Sequence, residues 1–227
     1  FAKEKKNLII ASRDDRDLIA IKSDLEIKYN IKVEKIALDF SSFEELNQKL
    51  FKENIFRDLS GILFPVGLMH EKDNFDLNEV DLRRITFANY LSIVHTMNYV
   101  SKHSNINGFS VVGFGSVSGL VGRNLNVSYA AAKRSLESFF ESIAFEEKLK
   151  NVNIQFYTLG YLDTNLAFGK DLILPKGSTL KLANIVYKNL KVNFKKTYYP
   201  LFWNIIAFFL KIIPFQILVR LYKILIK

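Results

Sequence analysis

Three residues near the middle of the chain could move a proton together: Ser116, Tyr129 thirteen positions later, and Lys133 four beyond that. Residues four apart on a helix share a face, so a helix here would point the tyrosine and the lysine the same way. A phenol near its ordinary pKa of about 10 is a poor proton shuttle at neutral pH. An ammonium a few ångströms away favours the phenolate, and each unit of lowering is worth about 1.4 kcal/mol. Ser116 follows an apolar run, Phe109 to Gly115, that reads as a buried strand. Its hydroxyl would donate to a carbonyl oxygen on its way to an alkoxide. The set predicts interconversion of a carbonyl and an alcohol. Spacing alone is weak, because Tyr187 and Lys191 repeat it. Position 174, thirteen before Tyr187, is leucine, and that second pair reads as a solvated helix face. The preceding strand and the glycines Gly113, Gly115, Gly119 and Gly122 mark out the first set.

Such residues need elements to carry them, and strand and helix patterns alternate along the chain. Strands are predicted at Leu8 to Ser12, Val33 to Leu38, Gly61 to Gly67, Phe109 to Phe114 and Val152 to Leu159. Helices are predicted at Asp17 to Tyr29, Glu44 to Lys52, Val80 to His103 and Tyr129 to Leu149, and "FAKEKK" resembles the last turn of another. This alternation predicts an α/β fold, a doubly wound parallel sheet of the Rossmann type in one domain. Ligands bind such sheets beyond the carboxyl ends of the strands. Ser12 and Arg13, Asp39, the "FPVG" loop and Ser116 should therefore gather along one edge.

Composition narrows the chemistry. With 227 residues and 49% hydrophobic content, the chain can bury one sizeable core. It has no cysteine, which excludes disulfides, thiolate metal sites and cysteine nucleophiles. His70, His95 and His103 stand singly, so no metal site is expected. The net charge of +9 is mostly scattered lysine without a nucleic-acid-binding pattern, so no nucleic-acid partner is expected.

The Ser116, Tyr129-x-x-x-Lys133 set resembles that of the short-chain dehydrogenases/reductases. The resemblance covers roughly residues 1 to 200. It implies a catalytic role for Asn89 in "ITFANYLSIVH", through a water relaying protons to Lys133. It further implies that Asp39, with Phe40 beside it, contacts adenine. The family's Asn-Asn-Ala-Gly turn corresponds to Phe64-Pro65-Val66-Gly67, keeping only Gly67. Its Pro-Gly-x-x-x-Thr stretch corresponds to "LGYLDT", keeping Gly160 and Thr164. The cofactor-binding set so implied is Ser12, Arg13, Asp39, Phe40, Gly67, Tyr129, Lys133, Gly160 and Thr164. Family members that prefer NAD carry an acidic residue where Ser12 stands. Ser12 and Arg13 suit a 2′-phosphate instead, so the expected cofactor is NADP, with NAD as the alternative. The family's first strand and glycine-rich turn have no counterpart here, and their loss would leave two inner strand edges unpaired. An N-terminally incomplete copy of an enzyme is the expectation, against a catalytically silent scaffold.

Beyond residue 200 the composition shifts to "LFWNIIAFFLKIIPFQILVRLYKILIK". A spanning helix needs about 20 apolar residues, and Asn204, Lys211 and Pro214 interrupt the run too early. Gln216, Arg220, Lys223 and Lys227 recur at helical spacing, which predicts a basic amphipathic tail over 201–227 lying on an anionic membrane surface. Tyr198, Tyr199 and Trp203 suit the interfacial layer. The alternative is a tail packed on its own domain or on a second subunit, and a homo-oligomer is compatible with either. The tail and "ILFPVGL" are also similar to the keto-reductase subunits of the decaprenylphosphoryl-ribose epimerase system. That similarity implies a keto-sugar on a lipid carrier as substrate, against free steroids, acyl chains or aldehydes. The expected location is the cytoplasm, at the cytoplasmic face of a membrane.

Overall fold

The computed structural model describes residues 1–51, 55–164 and 174–225. It opens with a single 3-10 turn, Ala2–Glu4, closed by Lys5 in the left-handed region, where the sequence suggested the end of a longer helix. Then follow β1 (Leu8–Ser12), α1 (Asp15–Tyr29), β2 (Val33–Ala37), α2 (Phe43–Glu45) and β3 (Gly61–Phe64). The catalytic half continues with α3 (Glu79–Thr86), α4 (Ser92–His103), β4 (Ser110–Ser116), α5 (Val127–Ile143) and β5 (Asn153–Leu159). It ends with α6 (Thr179–Lys188), β6 (Phe194–Tyr199), α7 (Trp203–Ile212) and α8 (Phe215–Leu225).

All strand pairs are parallel, as the alternation predicts, so the carboxyl ends of the strands share one edge. Among the described residues the strands form two groups, β1-β2 and β3-β4-β5-β6, and β1 does not pair with β3. Successive residues of β4 serve opposite faces. Val111 joins a core with Leu38, Phe64, Ile93, Leu136, Phe140 and Phe156, whereas Val112 joins Tyr157, Leu182, Val186 and Tyr199. A strand buried on both sides explains the unbroken apolar run that announced it. Gly113 and Gly115 are packing glycines: a Cβ would come within 2.4 Å of the Phe140 ring or 2.6 Å of the Phe156 ring.

Several boundaries differ from expectation. The long helix before β4 is real but carries a π-turn, Phe87–Leu91, between α3 and α4. A second π-turn, Leu46–Leu50, extends α2, and Lys52 lies outside the described residues. α5 begins two residues early and stops at Ile143, and a 3-10 turn at Glu147–Leu149 buries Leu149 instead. The Gly61 strand ends at Phe64, before Pro65, which has no N–H to offer a ladder. β6 was not foreseen, and of α6 only a helix at Tyr187 was. Tyr187 and Lys191 are not one helix face: α6 ends at Lys188, and the Tyr187 ring packs edge-on against Phe1.

Candidate active site

β4 delivers Ser116 to the strand edge. Its Oγ accepts from the Ser118 N–H at 3.2 Å and shares a 2.5 Å hydrogen bond with the Ser118 hydroxyl. Tyr129, 7% exposed, stands in the first turn of α5 beside Ser116, which acts to lower the pKa of its phenol. One turn further, Lys133 is 3% exposed and runs beneath the tyrosine, its Nζ 5.9 Å from the ring centroid. That ammonium donates to the carbonyls of Val66, at 2.7 Å, and Phe114, at 3.1 Å. The chain thus brings Ser116, Tyr129 and Lys133 together as their spacing predicted.

Asn89 sits in the π-turn, fully buried. Its amide donates to the carbonyls of Leu68 and Ile85, and its Oδ1 accepts from the Leu68 N–H at 3.2 Å. The extra residue of a π-turn frees backbone groups for such partners. Asn89 therefore holds the loop after β3 on one side, while Lys133 holds it on the other.

The electrostatics correct one expectation. Proximity to Lys133 was to lower the tyrosine. Burial instead pushes the Tyr129 phenol up, with Ser116 acting to lower it, and burial pulls Lys133 down to about 7. The physical reason is shared: a site dry enough to disfavour phenolate also disfavours ammonium. Four-residue spacing fixes a common face, and burial fixes the charge.

The residues implied for a cofactor lie along the same edge. Ser12 ends β1, its carbonyl accepting from the Leu38 N–H, and Arg13 projects into solvent beside it. Asp39 follows β2 and accepts from both the N–H and hydroxyl of Ser41. Partial burial raises the Asp39 carboxyl, but the Ser41 bonds and the charges of Arg84 and Arg13 outweigh it, leaving it below its ordinary range. Arg84 approaches to 3.6 Å. Asp39 is thus also the turn residue that its neighbours Ser41 and Ser42 suggested. Phe40 packs against the main core, half-buried. Gly67 lies exposed near Asn89. Gly160 has a structural use: a Cβ there would stand 2.0 Å from Nε1 of Trp203, the residue that seats α7 on the sheet. Thr164 is exposed at the end of a described segment.

Three contributors escaped sequence reasoning. Ser118 had a signal, lying two residues from Ser116 beside Gly119. Arg84 and Asp73 had none, because their partners are 43 to 56 positions away in sequence.

A parallel α/β domain whose strand edge carries a serine and a buried tyrosine over a buried lysine defines a domain of the Rossmann type. The chain belongs to the short chain dehydrogenase family, whose model matches residues 1–171. It is 28% identical to a very-long-chain 3-oxoacyl-CoA reductase of Vanderwaltozyma polyspora, over 73% of this chain and 50% of that protein. It is 29% identical to a 12alpha-hydroxysteroid dehydrogenase of a Clostridium species, over 68% of this chain and 62% of that one. Both matches leave more than a third of the relative's length unspanned. Among solved structures, a short-chain dehydrogenase from Sphingobium yanoikuyae in complex with NADPH superposes with a TM-score of 0.75 at 18% identity, covering 88% of this chain and 80% of that one. At that identity the likeness shows the fold.

Proposed function

We propose that this chain reduces a ketone to a secondary alcohol with NAD(P)H, on a substrate that is apolar or carried by lipid. The observation carrying the reading is the gathering of Ser116, a buried Tyr129 and a buried Lys133 at the end of one strand. In the reductive direction Tyr129 Oη protonates the ketone oxygen, and Ser116 Oγ hydrogen-bonds that oxygen and fixes its position. Lys133 Nζ lies 5.9 Å from the Tyr129 ring centroid, and Asn89 keeps the loop that Lys133 binds in place. A raised phenol pKa keeps the proton on Tyr129 throughout the neutral range, and it leaves the phenol a weaker acid than a lysine-lowered one would be.

The residues fit a nicotinamide dinucleotide at both ends. In its ammonium form Lys133 has three donors, two of them used by carbonyls, which leaves one for a ribose hydroxyl. Arg13 makes no ion pair shorter than 4 Å among the described residues and suits a 2′-phosphate, which favours NADP. The bound dinucleotide would supply the hydride.

The tail supports the apolar substrate. Residues 1–200 would form the reductase domain and 201–227 a membrane-engaging extension at the cytoplasmic face. Trp203 and Ala207 pack on the domain, but Ile205, Phe208, Phe209, Ile212, Phe215 and Ile224 are 57% to 70% exposed. Lys211 and Arg220 add cations to this apolar surface, a combination suited to anionic lipid. Lys227 lies outside the described residues, as does the Lys223 side chain. No single helix among the described residues is long and apolar enough to cross a membrane. α7 and the start of α8 reach that measure only as a pair bent by 114°. The keto-sugar reading rests on the resemblance of the tail and the Phe64 loop, whereas the acyl and steroid names of the relatives favour a free apolar ketone.

The test is NADPH oxidation with a panel of acyl, steroid and lipid-linked ketones. Tyr129→Phe keeps the ring and removes the proton, and turnover should fall at least about 100-fold. Near-normal turnover in that variant would remove Tyr129 from the chemistry.

A further inference from the structure

Tyr129 stands third in α5, within the turn that a helix holds least firmly. The first four N–H groups of a helix have no partner inside it. The usual remedy is a capping side chain just before the first turn, but Asn126 there adopts φ 53 and makes no capping bond. A residue 56 positions earlier takes over. The Asp73 carbonyl accepts from the Val127 N–H at 3.0 Å. Its Oδ1 accepts from Ser128 and its Oδ2 from Tyr129, both at 2.9 Å. The first N–H with a partner inside the helix is that of Ala130, bonded to the Asn126 carbonyl. One residue therefore satisfies the donors of Val127, Ser128 and Tyr129, and it is 2% exposed.

We propose that Asp73 is a positioning residue for Tyr129, fixing the phenol against Ser116 by clamping the first turn of α5. The carboxylate also faces the positive end of the helix dipole, which favours this site over solvent. The wider geometry makes the clamp part of a larger device. The segment between β3 and α3 is held by Lys133 at Val66, by Asn89 at Leu68, and by Asp73 at the start of α5. A single loop thus gauges the relative positions of the lysine, the asparagine and the tyrosine. Loss of the Asp73 side chain would leave Lys133, deeper in the helix, where it is, and release Tyr129 alone.

The inference rests on the reductase reading for its importance but not for its test. In the full chain, amide hydrogen exchange at Ser128 and Tyr129 is compared in wild type, Asp73→Ala and Asp73→Asn. The Tyr129 phenol is followed by ¹³C-tyrosine resonances, its own assigned by absence in Tyr129→Phe. Asp73→Ala should speed exchange at those two amides by roughly tenfold, the scale of a lost helix cap, with α1 and β5 unchanged. The Tyr129 resonance should move toward those of exposed tyrosines. Asp73→Asn, which retains one acceptor oxygen, should restore part of both effects. With an accepted ketone, turnover number should fall in Asp73→Ala while the KM for NADPH stays within about twofold. Unchanged exchange and an unmoved resonance would overturn the proposal. So would a loss spread evenly over α1, β5 and α5 in both variants, which marks Asp73 as a general stabiliser. If wild type turns over no ketone, the reductase reading fails, and exchange and resonance still decide the role of Asp73.

Discussion

Lys133→Met should flatten the pH dependence of stability. The lysine is buried among apolar neighbours and its folded-state pKa is about 7, against 10.5 when free. Between these values the unfolded chain holds a proton that the folded chain has given up. Stability therefore rises with pH through this window, and the contribution is lost as pH falls toward 7. From pH 7 to pH 9 the folded lysine goes from half charged to neutral while the unfolded one stays charged. At about 1.4 kcal/mol per unit, the integrated gain is about 2 kcal/mol. Methionine has similar length and no charge, so the variant lacks this slope. It also strips a donor from the Val66 and Phe114 carbonyls, at about 1 kcal/mol each, but that loss does not vary with pH. Urea unfolding of both proteins at pH 7, 8 and 9 measures the difference. The window stops there because the raised Tyr129 phenol acts oppositely: above about pH 10 the unfolded tyrosine ionises first and stability falls. Parallel profiles for wild type and variant would refute the reasoning, since they would mean that Lys133 stays charged in the folded protein.

Arg13→Ala should weaken NADPH binding by on the order of ten- to a hundredfold and leave NADH within about twofold, read by calorimetry. Equal losses would remove the 2′-phosphate contact. Gly160→Ala would drive a methyl into the Trp203 indole, costing about 1–3 kcal/mol and moving α7 off the sheet. Trp203 is the sole tryptophan, so its emission should shift to the red. An unshifted spectrum would mean that the indole relaxes in place. Phe208→Ser with Phe209→Ser changes only exposed side chains and should abolish flotation with anionic vesicles, leaving the tryptophan spectrum as it was. Undiminished flotation would assign membrane binding, if any, to other residues.

The legible parts of the fold were those whose cause is local. β4 was visible because a strand covered on both faces is apolar throughout, and α5 because Tyr129 and Lys133 share a helical spacing. β6 was invisible for the converse reason. "FKKTYY" carries two adjacent lysines, and only the folded chain shows Lys196 paired with Glu137 and Glu141 of α5, which makes the charge tolerable. That Ser116, Tyr129 and Lys133 lie close together was readable; the direction of their pKa shifts was not, because burial is a property of the neighbours. Gly160 shows a further limit. Its place in the "LGYLDT" stretch points to a cofactor, whereas its closest neighbour is the ring of Trp203, 43 residues later.

The division of the sheet bears on how the molecule comes apart. β1, α1 and β2 pack chiefly on one another, and join the rest through Ile36, Leu38, Phe40 and the Asp39–Arg84 approach. The exposed Ile19, Ile21 and Ile27 of α1 contribute little to any shared core. With so few contacts to the rest among the described residues, such a segment would act as a foldon that opens at lower free energy than the β3–β6 body. Arg13 and Asp39 ride on that weaker foldon, and Tyr129 and Lys133 on the stronger one. A molecule that bridged the two would stabilise the weaker by mass action, in proportion to its concentration over its dissociation constant. Opening of the N-terminal foldon would then slow with ligand concentration while exchange within β4 and β5 stayed the same.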